Sequence, residues 1–343
     1  MWLRDAIFGV DKKAAPPPGG LLTMHPEYGY AYRLVHGIVY PPFAEEAAID
    51  ELRSRDWSRQ GDVLVATYPK CGTTWMQQIV LLLLANGDAS KVLDPMEQAP
   101  WVDREASLRR RKGASIDPVV DAEASPDFSN RRCFKTHAPY HLLPCADGFS
   151  RGKIIVVVRN PKDAAASMYS HYLGLPQFRY SGPWDHFFDL FVNGNVGHGD
   201  YFDHILGWRR EACAPNILWL SFEQTASDVR GTAVQVAGFL GIDLDDAALD
   251  NVVQAASFDS MKKAHQLRVQ TGAQRMGSKS HFRSGTSGGW RSRFTVAQSD
   301  QLDDIFQAKM ENSDIITDYG KGLRFRGTAR IPPDGDDNQK PGA

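Results

Sequence analysis

Long apolar runs are missing from this chain. The longest purely aliphatic stretch, Ile79 to Leu84, falls far short of the roughly 20 residues that cross a bilayer. The first ten residues carry Arg4 and Asp5 and no apolar signal core, so neither a secretory signal nor a membrane anchor is read, and a cytoplasmic protein is expected. Cysteine is scarce. Cys71, Cys133, Cys145 and Cys213 are the four in 343 residues, and none forms a C-x-x-C pair, which excludes a disulfide framework and a cysteine zinc site. EF-hand and H-E-x-x-H patterns are also missing, so no metal is expected. An excess of one charge is lacking too. Lys and Arg number 39 against 41 Asp and Glu, a net charge of −2. A general nucleic-acid binder carries a basic excess, so that class is excluded, and any anion site must be local.

What is present is an ordinary globular balance, 42% hydrophobic and 23% charged, with enough apolar residues for one sizeable core. No internal repeat and no long central linker divides the chain, which favours one large α/β domain over two. Residues 14–20 read A-A-P-P-P-G-G, and the end from Pro332 is polar with Pro and Gly. The expected organisation is a partly disordered N-terminal extension over 1–35, a domain over 36–326 and a disordered tail over 327–343.

Strand and helix signals alternate within the domain. Strands are predicted at Asp62–Thr67, Arg131–Thr136, Lys153–Val158 and Asn216–Phe222. The third is apolar on both faces and therefore central. A helix after Gly72 presents Trp75, Met76, Ile79, Val80 and Leu83 on one face and stops at Asn86-Gly87. Asn160 is read as an N-cap with Pro161 at the first helical position, and Asp163 complements the dipole of a helix running toward Gly174. A further helix is predicted over Ser227–Leu240, closed by Gly241, and Thr295 to Gln298 resembles a capping box for a late helix ending near Met310. The pattern predicts a central parallel sheet flanked by helices.

The segment Tyr68-Pro-Lys-Cys-Gly-Thr-Thr-Trp75 carries the most information. A strand feeds a glycine turn that opens a helix, whose first-turn N–H groups have no intrahelical partner and donate to an anion. Gly72 permits close approach, Thr73 and Thr74 add hydroxyls, and Lys70 adds charge. The lysine precedes the glycine, so this is not a Walker A loop. The same residues also read as a plain strand–turn–helix corner with a solvated lysine.

Here the sequence resembles the cytosolic sulfotransferases, whose members carry Y-P-K-x-G-T-T-W after their first strand. Phe134-Lys-Thr-His137 resembles that family's K-T-H element. Val158-Arg-Asn-Pro-Lys-Asp163, continuing to Ser167, resembles its R-N-x-K-D-x-x-x-S element, and Phe282 to Trp290 resembles R-K-G-x-x-G-D-W. The likeness runs from about His36 to Lys309. It implies a single domain with P-loop-like nucleotide-binding architecture, and transfer of a sulfuryl group from 3′-phosphoadenosine 5′-phosphosulfate (PAPS) to a hydroxyl or amine, with adenosine 3′,5′-bisphosphate (PAP) as product.

The resemblance assigns roles residue by residue. His137 becomes the general base, a role its ordinary pKa suits. Lys70 and Lys135 face the charge that grows on the sulfuryl and leaving oxygens. Lys70, Cys71, Gly72, Thr73, Thr74 and Trp75 form the anion loop. Arg159 and Ser167 hold the donor's 3′-phosphate, joined by Arg283, Ser284 and Gly285. Trp75, Phe222, Ser257, Phe258 and Met261 surround the nucleotide, although Trp75 and Phe258 read equally as core. Cys71, beside Lys70 at a helix N-terminus, is expected either to have a lowered pKa and oxidise readily or to be an inert loop residue. Arg159 reads alternatively as a partner of Asp163.

Four positions depart from the family pattern. Ser284 stands where lysine is usual, Gly289 where aspartate is, Phe222 where tyrosine is, and Ala256 where threonine is common. Each lost polar contact weakens donor binding by roughly 0.5–3 kcal/mol if nothing compensates. Arg291, Thr295, Val296 and Asp300 resemble the family's short dimer motif, which implies a homodimer. Acceptor choice is expected in lids near 98–127 and 269–280, with Phe178, Tyr180, Trp184 and Phe187 either lining a pocket or filling the core. A small, hydrophobic or aromatic acceptor is expected. A magnesium-dependent kinase and a non-catalytic nucleotide-binding module are the competing readings; the displaced lysine opposes the first, and the retention of Lys70, Lys135 and His137 opposes the second.

Overall fold

The computed structural model describes residues 20–25, 27–120, 128, 130–270, 285, 287–318 and 322–325. Three strands come first: β1 (Leu22–His25), β2 (Gly29–Val35) and β3 (Ile38–Tyr40). They form an antiparallel sheet in that order. The four expected strands follow as β4 (Val63–Thr67), β5 (Cys133–Thr136), β6 (Lys153–Val158) and β7 (Ile217–Ser221). They make one parallel sheet in the order β5-β4-β6-β7. A last antiparallel pair joins β8 (Ile315–Asp318) to β9 (Gly322–Phe325).

The strand pleat explains why this sheet is covered on both faces. Leu64, Ala66, Phe134, Ile154, Val156 and Val158 enter one apolar cluster. Their neighbours Val63, Val65, Cys133, Ile155 and Val157 enter another. The second cluster packs on the Thr73–Leu84 helix, whose residues from Ile79 to Leu84 are all buried. Among the described residues no helix is long and apolar enough to cross a membrane.

Three expectations change in detail. The boundary at residue 36 cuts through the N-terminal sheet: Met24, Tyr30 and Tyr32 are core residues, and the Tyr30 hydroxyl meets that of Tyr172 at 3.1 Å. The fourth strand ends at Ser221, because the Ser221 hydroxyl accepts from the Gln224 N–H and caps a short helix starting at Phe222. The expected Ser227–Leu240 helix starts at Val229, capped by Asp228. The capping box at Thr295 and Gln298 is formed in both directions.

Asp62 pins the register of the sheet from below. Its backbone carbonyl accepts from Lys153 N at the start of β6. Its carboxylate accepts from Arg132 Nε at 2.8 Å, with a second bond from Arg132 Nη2, and from Arg59 N. Both members of the pair are buried. Removing one partner of such a pair leaves a buried uncompensated charge, which costs about 3–5 kcal/mol. Asp62→Ala should therefore lower unfolding stability by about that amount in urea titration; a loss under about 1 kcal/mol would show that the pair is not a constraint on the sheet.

Candidate active site

The strand order fixes where a site forms. β5 lies on one side of β4 and β6 on the other, so the order of strand addition reverses beside β4. Ligands in open α/β sheets bind beyond the carboxyl ends of the strands at such a point. The corner at residues 68–72 leaves β4 there, His137 leaves β5, and Arg159 leaves β6.

The corner is strained and braced. Lys70 has φ +71°, a left-handed conformation that costs a non-glycine residue about 1–2 kcal/mol. Its carbonyl accepts a 3.1 Å hydrogen bond from Arg159 Nη1. Gly72 has φ +99° and caps the Thr73–Leu84 helix with no side-chain bond and no acidic residue in the first turn. The first-turn amides therefore point their donors beyond the helix end. A Cβ on Gly72 would sit 2.8 Å from Phe222 Cδ2, so both conformation and packing require glycine there.

His137 follows from register. Ala66 pairs with Thr136, so His137 faces Thr67, and its Nδ1 lies 2.9 Å from the Thr67 carbonyl. A carbonyl only accepts, so Nδ1 carries the proton and Nε2 keeps the lone pair. The Thr67 hydroxyl lies 3.2 Å from the same nitrogen and 2.7 Å from the Thr73 hydroxyl, linking imidazole and corner. His204 Nε2 donates to the His137 carbonyl at 3.1 Å. Burial, then the positive charge of Lys135, push the His137 pKa down to about 3. Lys135 is itself lowered to about 8, by burial and then by Arg104. Its Nζ lies 5.5 Å from the centre of the Trp101 ring.

These groups share one cavity of about 840 Å³. At one end stand Lys70, Gly72, Thr73, Thr74, Trp75, Arg159, Ser167, Phe222, Phe258, Met261 and Gly285, all named from sequence. Arg159 stacks over Phe222 at 4.1 Å, and the Trp75 indole donates to the Ala256 carbonyl at 2.8 Å. Cations, aimed amides and flat apolar rings together suit a nucleotide bearing more than one anionic group. The rest of the wall carries the apolar Phe43, Trp101, Met168, Tyr172, Leu175 and Phe178 together with the charged Asp94, Glu97, Arg104 and Glu105.

Sequence reading missed most of that second wall. Trp101 is a lone aromatic in an expected lid, and Phe43 lies inside the expected domain but in no predicted element or motif. His198 was also missed. It is 2% exposed with φ +73°, and its ring lies 5.5 Å from His137 and 4.5 Å from Tyr40. Its place between two glycines was the available signal. Burial holds its pKa well below the ordinary range, so it stays neutral.

Other expectations are corrected. Asp163 does not pair with Arg159. Its carboxylate accepts from Gly288 N at 2.7 Å and Trp290 N at 3.0 Å, while Lys162 pairs with Asp303 at 2.6 Å and lies 4.6 Å from the Trp290 ring centre. This adjacent pair clasps two later segments to the end of β6. Ser257 lies outside the cavity, and its hydroxyl accepts from Ser260 N to cap its own helix. Tyr180, Trp184 and Phe187 pack in or against the core, leaving Phe178 alone of that group on the cavity wall. Arg283, Ser284 and most of the expected second lid lie outside the described residues.

For Cys71 the structure supports the inert reading over the activated one. Its side chain is fully buried in the core cluster, and burial pushes the thiol up to about 12 despite Arg159 and Lys70 nearby. Desolvation outweighs the helix terminus. Iodoacetamide at pH 8 should label exposed Cys213 and leave Cys71 unmodified by peptide mass spectrometry; prompt labelling of Cys71 in folded protein would contradict this burial.

Comparison with known proteins agrees with the geometry. Residues 60–314 match the family described as "Sulfotransferase domain". Sulfotransferase 1C2 of Oryctolagus cuniculus is 34% identical over 262 residues, covering 75% of this chain and 86% of the relative. Human Sulfotransferase 2A1 is 30% identical over 279 residues, covering 80% and 93%. The crystal structure of mouse sulfotransferase SULT7A1 complexed with PAP superposes with a TM-score of 0.68 at 27% identity, covering 82% of this chain and 95% of that one. With the match spanning the strand-end corner, the histidine beside it and most of the parallel sheet, the chain belongs to the sulfotransferase family and is a sulfotransferase.

Proposed function

We propose that this enzyme transfers the sulfuryl group of PAPS to a hydroxyl or amine of a small hydrophobic or aromatic acceptor, by in-line displacement with His137 as general base. The observation that carries the reading is the His137–Thr67 hydrogen bond, which leaves Nε2 as the proton acceptor in a residue that lines the cavity. PAPS supplies a sulfuryl group already activated by a phosphate leaving group.

The residues of the chain divide the remaining work. Lys70, the amides of Thr73, Thr74 and Trp75, and Lys135 stabilise negative charge as it develops. Arg159 and Ser167, with Arg283, Ser284 and Gly285, hold the 3′-phosphate. Trp75, Phe222, Phe258 and Met261 cover the base of the nucleotide. Phe43, Trp101, Tyr172 and Phe178 exclude water and orient a flat acceptor. His137 takes the acceptor's proton as the nucleophile attacks. In the free enzyme it is a weak base, and the anionic donor opposes the cations that depress it. A homodimer through Arg291, Thr295, Val296 and Asp300 fits the exposure of all four, with Val296 at 78%. A cytoplasmic location completes the reading.

The acceptor is found with labelled PAPS and a panel of 2-naphthol, a 3β-hydroxysteroid, a flavonoid and an arylamine, reading product mass. No sulfated product from any of them, with magnesium-dependent ATP turnover in its place, would favour a kinase. His137→Ala should abolish transfer and leave PAP affinity within about threefold of wild type; near-normal turnover removes His137 as base. Arg159→Ala should raise the PAP Kd by about tenfold or more while saturating turnover falls less. An unchanged Kd in calorimetry removes the 3′-phosphate assignment.

A further inference from the structure

One buried carboxylate next to this site takes no part in the scheme above. Asp103 is 3% exposed. It lies in the first turn of the Val102–Arg111 helix, which also carries Arg104 and Glu105 of the cavity wall and directly follows Trp101. Its Oδ1 accepts a 3.0 Å hydrogen bond from the Thr136 hydroxyl, and that hydroxyl accepts one of 3.0 Å from Ala138 N. The bonds run in one direction, each hydroxyl donating onward and accepting from behind. They bracket His137 between Thr136 and Ala138. A second tie runs alongside, because Lys135 N donates to the Pro100 carbonyl at 3.0 Å.

We propose that Asp103 is a positioning residue, whose buried carboxylate fastens the acceptor wall to the end of β5 and supplies counter-charge that keeps Lys135 a cation. The inference rests on the roles given to Lys135 and His137 above. A buried carboxylate is costly unless it is hydrogen-bonded and paired with charge. Here the Thr136 hydroxyl supplies a bond, and the nearby Lys135 ammonium adds favourable charge.

The surrounding charges decide the sign. Arg104 pushes the Lys135 ammonium toward deprotonation, as burial does, while Asp103, Asp94 and Glu105 oppose them. Asp94 also bonds Met96 N and lies 3.6 Å from Arg268, and Glu105 is paired with Arg104. Of the three carboxylates, Asp103 alone is also hydrogen-bonded to the strand that carries Lys135. Burial, then the charge of Asp103, raises the pKa of the buried Tyr40 hydroxyl, which stays neutral. Burial raises Asp103 itself to about 6, so it is ionised throughout the alkaline range where Lys135 titrates. Lys135 must be protonated to stabilise developing charge, so the rate falls as pH rises through the Lys135 pKa.

The test is the pH profile of kcat/KM, measured with PAPS and the preferred acceptor of the panel above, for wild type, Asp103→Asn, Asp103→Glu, Thr136→Val and Lys135→Met. Asp103→Asn should move the alkaline limb to lower pH by about one unit and lower kcat by about tenfold or more, and Asp103→Glu should restore most of the limb. Thr136→Val, which breaks the link and keeps the charge, should lower kcat without moving the limb. It also decides the matter if the asparagine variant does not fold, because wild-type kcat there overturns the positioning role. An Asp103→Asn profile that superposes on wild type, with Lys135→Met inactive, overturns this inference alone. Wild-type turnover in Lys135→Met overturns the assignment of Lys135 and this inference with it.

Discussion

The hydrogen bond from His137 Nδ1 to the Thr67 carbonyl joins two neighbouring strand ends, and most of the site is arranged around it. It exists because β4 and β5 are parallel and in register. A slip of one residue would exchange every side chain between the two faces and separate the imidazole from the corner. The bond also sets a tautomer, with the proton on Nδ1 and the lone pair on Nε2. The same Thr67 bonds Thr73 through its hydroxyl, so the start of the anion-facing helix and the histidine share one support. Asp62 secures the other end of the strands with its buried Arg132 pair.

Around this point the chain concentrates features that each cost stability: Lys70 at positive φ, Lys135 and Arg159 buried, and His198 buried and neutral. Strain and buried charge persist only where the surroundings over-determine them. For Lys70 and Arg159 they are offset by specific partners, whereas neither ring nitrogen of His198 has a hydrogen-bond partner among the described residues. The Lys70 carbonyl is held by Arg159, Arg159 is stacked on Phe222, and the Tyr201 hydroxyl donates to the Arg159 carbonyl. Phe222 at the position of a usual tyrosine loses a hydroxyl, yet its ring fills the space under Gly72 and beneath the guanidinium. The departure is compatible with the same corner because its packing role is retained.

The parts legible in the sequence are those governed by local rules. Apolar residues on both faces identified the central strand, Asn160-Pro161 the start of its following helix, and Thr295 with Gln298 a capping box that is fully formed. The corner residues were legible because strand, glycine and helix are contiguous there. What escaped depends on contacts between distant segments. Asp163 is the first-turn acidic residue expected, and it is also a clasp for Gly288 and Trp290, which no local pattern announced. Cys71 read either as activated by its helix terminus or as inert, and its burial, which decides between the two, follows from the core around it. Tyr30 and Tyr32 looked like part of an extension, since no local pattern announces that β2 will be packed against Tyr172.

The same distinction explains why the two ends of the cavity differ in legibility. The anion end is built by strand-end loops, where backbone amides and a few cations must occur at fixed offsets. The apolar wall of the other end draws Phe43 from beside the N-terminal sheet, Trp101 from the turn before a helix, and Tyr172 and Phe178 from around the end of the Pro161–Gly174 helix. Any large apolar residue serves such a wall, so no spacing is imposed and none can be read. Yet the two ends are mechanically one. Lys135 N bonds the Pro100 carbonyl beside Trp101, and the Tyr30–Tyr172 hydroxyl contact ties the N-terminal sheet to the helix that carries Ser167. Short hydrogen-bonded paths therefore join the wall to the charged corner, so that the two are positioned by the same packed elements.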